Sequence, residues 1–156
     1  MIERRIVAVH EEAPGTCIVE LDCGHRRHVR DRPPFETHPW VHDDAERRAR
    51  VGSAIECGLC AACVRPQDAQ RYREGPSWDA SSVPAGLLDR HRLKAGVWGE
   101  LVVRAGRVRL HYDAPIDRVV DLEAGQVAAI PPEVVHRLEL TGDVELRLDF
   151  LRVERP

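Results

Sequence analysis

Two pairs of side chains in the first half of the chain have the types and spacing of a metal centre: Cys23-x-His25 and, about thirty residues on, Cys57-x-x-Cys60. Each pair offers two donors from one tight turn, and Gly24 and Gly58 give the backbone the freedom to let both side chains converge. Four nitrogen and sulfur donors complete the tetrahedral shell of a structural zinc, and a closed shell holds a fold rather than catalysing, because catalytic zinc keeps an open position. His28 competes with His25 for the histidine place through Cys-x-x-x-x-His, and Cys63 can replace Cys60 by extending the run Cys57-x-x-Cys60-x-x-Cys63. Cys17 lies in an apolar run and reads as a small buried hydrophobe. His10, His38 and His42 read as surface or loop histidines.

The second half holds a sparser set. Gly125-x₅-Pro131-x-Glu133-x-x-His136 puts a proline-rich turn ahead of a strand that opens at His136, with its ring directed into the mouth of a barrel. His91, Glu133 and His136 together make two nitrogens and a carboxylate, a set suited to a second divalent metal with open positions. Asp149 reads as a fourth group or as a hydrogen-bonding partner for a histidine. Lys94, the single lysine among 23 basic residues, suits a small anionic ligand together with the nearby His91. Trp98, Val102 and Glu100 share strand parity, a face that reads as packing with a carboxylate at its rim.

The elements that must position these groups differ between the halves. Residues 4–10 and 16–22 are β-rich runs separated by Glu11-Glu-Ala-Pro-Gly15 and predict a hairpin that feeds Cys23. Arg32-Pro33-Pro34 forces extended backbone, and residues 43–51 suit one short helix capped by an aspartate. From Val64 to Ser82 the chain is polar and without clear periodicity, which predicts a linker, placed at residues 66–75. After it, six runs of 6–8 residues alternate apolar and polar: 99–106, 107–112, 117–122, 125–130, 135–140 and 144–151. They predict an all-β sandwich or barrel. The organisation expected is a metal-binding module at 1–65, the linker, and a barrel at 76–156.

All five cysteines and five of the eight histidines fall in the first 63 of the 156 residues. A segment of about 65 residues is near the size where a metal or disulfides assist a marginal core. No apolar core of about 7–15 residues near the N-terminus resembles a secretory signal, and no run of about 18 apolar residues suits a membrane span. The expectation is a cytoplasmic protein without membrane partners, whose reduced, clustered thiols are metal ligands rather than disulfides. Net charge is −3 and both halves are close to neutral, so charge does not favour nucleic acid, although Arg26, Arg27, Arg30 and Arg32 form a local patch.

Two resemblances follow from these residues. The run Leu21 to Phe35, with Cys-Gly-His-x-x-His-x-Arg-x-x-Pro-Pro, then Pro39-Trp40 and Cys57-Gly-Leu-Cys60, resembles a small bacterial domain family of uncharacterised function, DUF3565-like, over about residues 3–63. That family lends weight to Cys23, His25, His28, Cys57 and Cys60 together. The Gly125 to His136 stretch resembles the second cupin motif, with Glu133 where the motif has glycine; the stretch His91 to Glu100 lacks the His-x-His of the first. Val83-Pro-Ala-Gly-Leu-Leu, Arg90-His91, Lys94-Ala-Gly-Val-Trp-Gly99, Ala124 to His136 and Leu148-Asp-Phe150 are similar to a cupin-like family, YeaR-like when free-standing and otherwise N-terminal in tellurite-resistance TehB-like proteins. The likeness spans about residues 76–153. It implies a cupin-like double-stranded β-helix barrel, a pocket near His91, Lys94, Glu133 and His136 taking a small molecule or ion, an association with stress or oxyanion resistance, and a homodimer; it carries over no methyl transfer, since nothing here resembles an S-adenosylmethionine loop.

The fold class expected is thus mainly β, a small zinc-ribbon-like module followed by a cupin-like barrel. The leading function is a metal-binding protein with a structural zinc and a ligand-binding barrel. One alternative is a metal-dependent cupin enzyme acting on a small polar substrate, and another is a ligand-sensing regulatory or interaction protein; whether the chain turns over a substrate is left open by the sequence.

Overall fold

The computed structural model describes residues 1–155. It is mostly β, with two antiparallel sheets. The first has the order β3-β2-β1-β4 and is built from β1 (Ile2–Ala13), β2 (Thr16–Leu21), β3 (Arg26–Arg30) and β4 (Ala54–Cys57). The hairpin predicted from 4–10 and 16–22 is present, turning at Pro14-Gly15 with Gly15 at φ +78°. Helix α1 (Asp44–Ala49) starts where its cap was expected, with the Asp43 carboxylate accepting from the Glu46 amide at 2.9 Å. Along β1, Ile2, Arg4 and Ile6 alternate with exposed residues, so an arginine shares the buried face with two isoleucines.

The second sheet joins β5 (Gln70–Arg73), β6 (Ser77–Asp79), β7 (Trp98–Tyr112), β8 (Arg118–Glu123), β9 (Val127–Ile130) and β10 (His136–Arg152). Four of the six predicted strands merge into two, because 99–106 and 107–112 are one strand and so are 135–140 and 144–151. A bulge explains the apparent break. Glu145 pairs with Ala105 and Leu146 with Val103, leaving Arg104 as the extra residue. The buried face accordingly changes parity, from Leu101 and Val103 before the bulge to Val108, Leu110 and Tyr112 after it. Gly106 must be glycine: its φ is +72° and a Cβ there would stand 1.9 Å from the Asp143 carbonyl oxygen.

The polar segment expected as a linker instead contributes β5 and β6, both paired with β10. All four residues of β5 are exposed, so no buried alternation marks it as a strand. The two halves share one contiguous core, to which Val19, Leu21, Cys23 and Cys60 from the first and Trp98, Leu101 and Leu151 from the second all belong. No helix among the described residues is long and apolar enough to cross a membrane.

Candidate metal centre

The first pair of ligands sits in the turn between β2 and β3. Gly24 donates to the Leu21 carbonyl at 2.9 Å and the Leu21 amide donates to His25 at 2.9 Å, closing a tight loop that presents both side chains inward. Gly24 has φ +93°, and a Cβ there would meet the Val153 side chain at 2.6 Å, so both the turn and its packing require glycine. The second pair comes from the β4–α2 junction. Cys57 ends β4, opposite Ile2 of β1, and Cys60 lies in the single helical turn α2 (Gly58–Ala61).

Cys23, His25, Cys57 and Cys60 are the one group of three or more such side chains among the described residues whose donor atoms lie together, all within 4.8 Å of one another, and all four residues are buried. His25 Nδ1 stands 3.4 Å from the Cys23 sulfur, 3.4 Å from Cys57 and 3.6 Å from Cys60. Metal–sulfur bonds of about 2.3 Å and metal–nitrogen bonds of about 2.0 Å at the tetrahedral angle put nitrogen and sulfur roughly 3.5 Å apart. The cluster therefore has the dimensions of a tetrahedral N/S shell. His25 Nε2 lies 2.8 Å from the Val64 carbonyl, an acceptor only, so Nε2 carries the proton and Nδ1 presents its lone pair to the sulfurs. In the metal-free cluster, burial opposes the imidazolium, but hydrogen bonds with Cys57 and Cys60 outweigh it and raise the His25 pKa to about 9. Hydrogen bonds from Cys23 and Cys60 hold the Cys57 thiol well below the usual range.

Two neighbours complete the centre. Trp98, fully buried at the start of β7, donates its indole N–H to the Cys23 carbonyl at 2.8 Å, and the His25 ring meets it edge-on at 5.5 Å. Arg4 places Nε 3.3 Å from the Cys60 sulfur, donates from Nη2 to the Pro132 carbonyl at 2.8 Å, and pairs from Nη1 with Glu133 at 3.5 Å. A divalent ion held by three thiolates and a neutral imidazole would carry a net charge of −1, for which the buried guanidinium would be the counter-charge. A cavity of about 300 Å³ lined by Met1, Arg26, Arg27 and Leu59 reaches His25 and Cys57 and gives the centre an approach from solvent.

The two competing ligands stand elsewhere. His28 lies in β3 with Nε2 3.1 Å from the Glu12 carboxylate. Cys63, at φ +56°, lies beside the Tyr112 hydroxyl and outside the cluster; burial pushes its thiol up. Arg4 is the functional residue that reading the motifs missed, and its signal was the strand alternation that puts it between Ile2 and Ile6.

In the second half, His91 and His136 adjoin. They exchange backbone hydrogen bonds of 2.9 and 2.8 Å, and their rings meet edge-on at 5.3 Å. His136 Nδ1 donates to the Val134 carbonyl at 2.9 Å, leaving Nε2 without a partner, and His91 Nδ1 is likewise buried and unpartnered among the described residues. Burial holds the His136 pKa below its usual value. Glu133 does not join them: at φ +62° its side chain swings out to Arg4, so the expected carboxylate is turned away from the histidines. Asp149 is not their partner either. It is buried against Arg71 at 3.2 Å, Arg147 at 3.1 Å and the Gly75 amide at 3.2 Å, where it ties β5 to β10. His91 and Lys94 line a common cavity of about 280 Å³; Glu133 and His136 do not line it.

A buried Cys₃His cluster packed against the start of β7 defines the class: a β protein whose N/S donor set could hold a metal ion at the root of its larger sheet. The chain belongs to the TehB-like domain family, whose model matches residues 73–148, while residues 7–64 match the family described as "Protein of unknown function (DUF3565)". "Uncharacterized protein YeaR" of Escherichia coli K12 is 36% identical over 94 residues, covering 54% of this chain and 79% of the relative. "Probable S-adenosyl-L-methionine-dependent methyltransferase TehB" of Haemophilus influenzae is 27% identical over 85 residues, 51% of this chain but 29% of that protein. A crystal structure of an Escherichia coli K12 protein superposes with a TM-score of 0.53 at 33% identity, over 58% of this chain and 96% of that one. The crystal structure of Haemophilus influenzae TehB gives 0.51 at 22% identity over 56% and 32%.

Proposed function

We propose that this is a metal-stapled binding protein, in which Cys23, His25, Cys57 and Cys60 hold a structural zinc and the cupin-like half receives a small molecule or ion beside His91 and Lys94. The fit of the three nitrogen–sulfur separations to a tetrahedral shell carries the first part. With four protein donors and a buried surround, the ion has no open position for substrate, so its contribution is to the fold. The cavity at His91 and Lys94 supports the second part. The setting proposed is stress or oxyanion resistance, tellurite included, by analogy with the TehB-like name; methyl transfer is not part of the proposal.

A second reading, a metal-dependent enzyme, is favoured by one observation, the two buried ring nitrogens of His91 and His136 that lack partners. Elemental analysis of the purified chain separates the two. One zinc per chain, lost in Cys57→Ser with a lowered thermal midpoint, is expected; a second metal lost in His136→Ala would establish the enzyme-like site instead. A Cys57→Ser protein that kept both its zinc and its stability would overturn the structural-zinc reading.

A further inference from the structure

We infer that the cavity beside His91 takes an organic anion, a carboxylate or phosphate ester carried on a small apolar body; this rests on the barrel being a ligand-binding unit as proposed above. The cavity is lined by Tyr72, Arg73, His91, Arg92, Leu93, Lys94, Val97 and Phe150. Three of these are cations, and none is an acid. Beside the cavity, Arg71 and Arg147 pair with Asp149, and Arg152 pairs with Glu154. Arg73, Arg92 and Lys94 take part in no ion pair among the described residues. Cations gathered at one concavity without a counter-charge repel one another and concentrate anions, so the missing partner is supplied by a ligand.

The remaining walls decide what the anion is attached to. Leu93 and Val97 are apolar, and Phe150 and Tyr72 present rings, each already carrying a guanidinium: Arg73 over Phe150 at 5.8 Å and Arg152 over Tyr72 at 4.3 Å. A guanidinium held against a ring keeps its donor edges available for a carboxylate or phosphate while the ring contributes apolar surface. A volume of about 280 Å³ suits a single-ring compound rather than a nucleotide or a polymer.

Titration calorimetry on the full-length, metal-loaded protein tests this with benzoate, phenyl phosphate, inorganic phosphate and the neutral benzyl alcohol. Benzoate or phenyl phosphate is expected to bind, with inorganic phosphate and benzyl alcohol at least about tenfold weaker, and Lys94→Met and Arg73→Met each weakening the organic anion by about tenfold. Both substitutions fall on exposed side chains, and circular dichroism and the thermal midpoint verify that each variant folds. Inorganic phosphate binding as tightly as phenyl phosphate would overturn the apolar body. Benzyl alcohol binding as tightly as benzoate, or anion binding indifferent to both substitutions, would overturn the anion while leaving a ligand-binding barrel standing. No binding by any of the four would overturn the organic anion, and a further failure to bind in a broad neutral-compound screen would remove the ligand-binding reading itself.

Discussion

Arg4→Met is the substitution that most directly probes how the metal centre is balanced. Methionine keeps much of the stem volume and removes the charge, together with the contacts to the Cys60 sulfur at 3.3 Å, the Pro132 carbonyl at 2.8 Å and Glu133 at 3.5 Å. At an effective dielectric of about 20, a unit charge 3.3 Å from a thiolate is worth roughly 5 kcal/mol. Most of that is offset by the cost of burying a guanidinium. What survives for groups that support metal ligands is typically a 10–100-fold effect on metal affinity, about 1.4–2.7 kcal/mol. The orphaned Pro132 carbonyl costs the folded state about a further 1–3 kcal/mol. Competition against a chromophoric chelator at fixed pH reads the first effect, and denaturant unfolding of the loaded protein reads the second. Metal affinity unchanged within about twofold, in a variant that still folds, would refute the counter-charge argument, because with His25 neutral as a ligand Arg4 is the cationic side chain among the hydrogen-bond partners of Cys60.

Other outcomes follow from the same geometry. His28→Ala is expected to retain its metal fully, since His28 pairs with Glu12, whereas His25→Ala is expected to lose it; metal analysis after dialysis distinguishes them. Trp98→Phe removes the donor to the Cys23 carbonyl and should destabilise the protein by about 1–3 kcal/mol and loosen the metal, measured by denaturant titration and chelator competition. Gly106→Ala should be severely destabilising, with a fall in soluble yield and thermal midpoint, because the Cβ would collide with the Asp143 backbone. The lowered His136 pKa means that the unfolded chain takes up its proton first on acidification. His136 therefore favours the fold above pH 6.5 and withdraws that support as pH falls from there towards the folded-state pKa, at no more than about 1.4 kcal/mol per pH unit. Unfolding midpoints between pH 5 and 7 should show that slope diminished in His136→Leu.

The ligands of the metal centre were legible because a tight turn leaves a local record: two donors flanking glycine, twice. The choice between His25 and His28 was not, since both follow Cys23 within a turn's reach, and only the pairing of β3 with β2 carries His28 away to Glu12. The long strands were legible as fragments, since a bulge at Arg104 interrupts the alternation without interrupting the strand. Edge strands β5 and β6 escaped because exposed pairing needs no apolar periodicity. At Glu133 the departure from glycine was visible, but its consequence was not: the residue keeps the left-handed backbone, and its side chain leaves the histidines for Arg4.

The indole of Trp98 bears on how such a protein can be assembled from parts. The turn that carries Cys23 and His25 is held from outside its own sheet, by an N–H from β7 and by Val153 pressed against Gly24. Transplanting residues 1–65 onto an unrelated host would move every metal ligand and leave behind the wall they lean on. A recombinant of this chain that exchanges one half must therefore bring an indole, or an equivalent donor, to the same place, so Trp98 ties the fate of the cysteine turn to a strand that contributes no metal ligand.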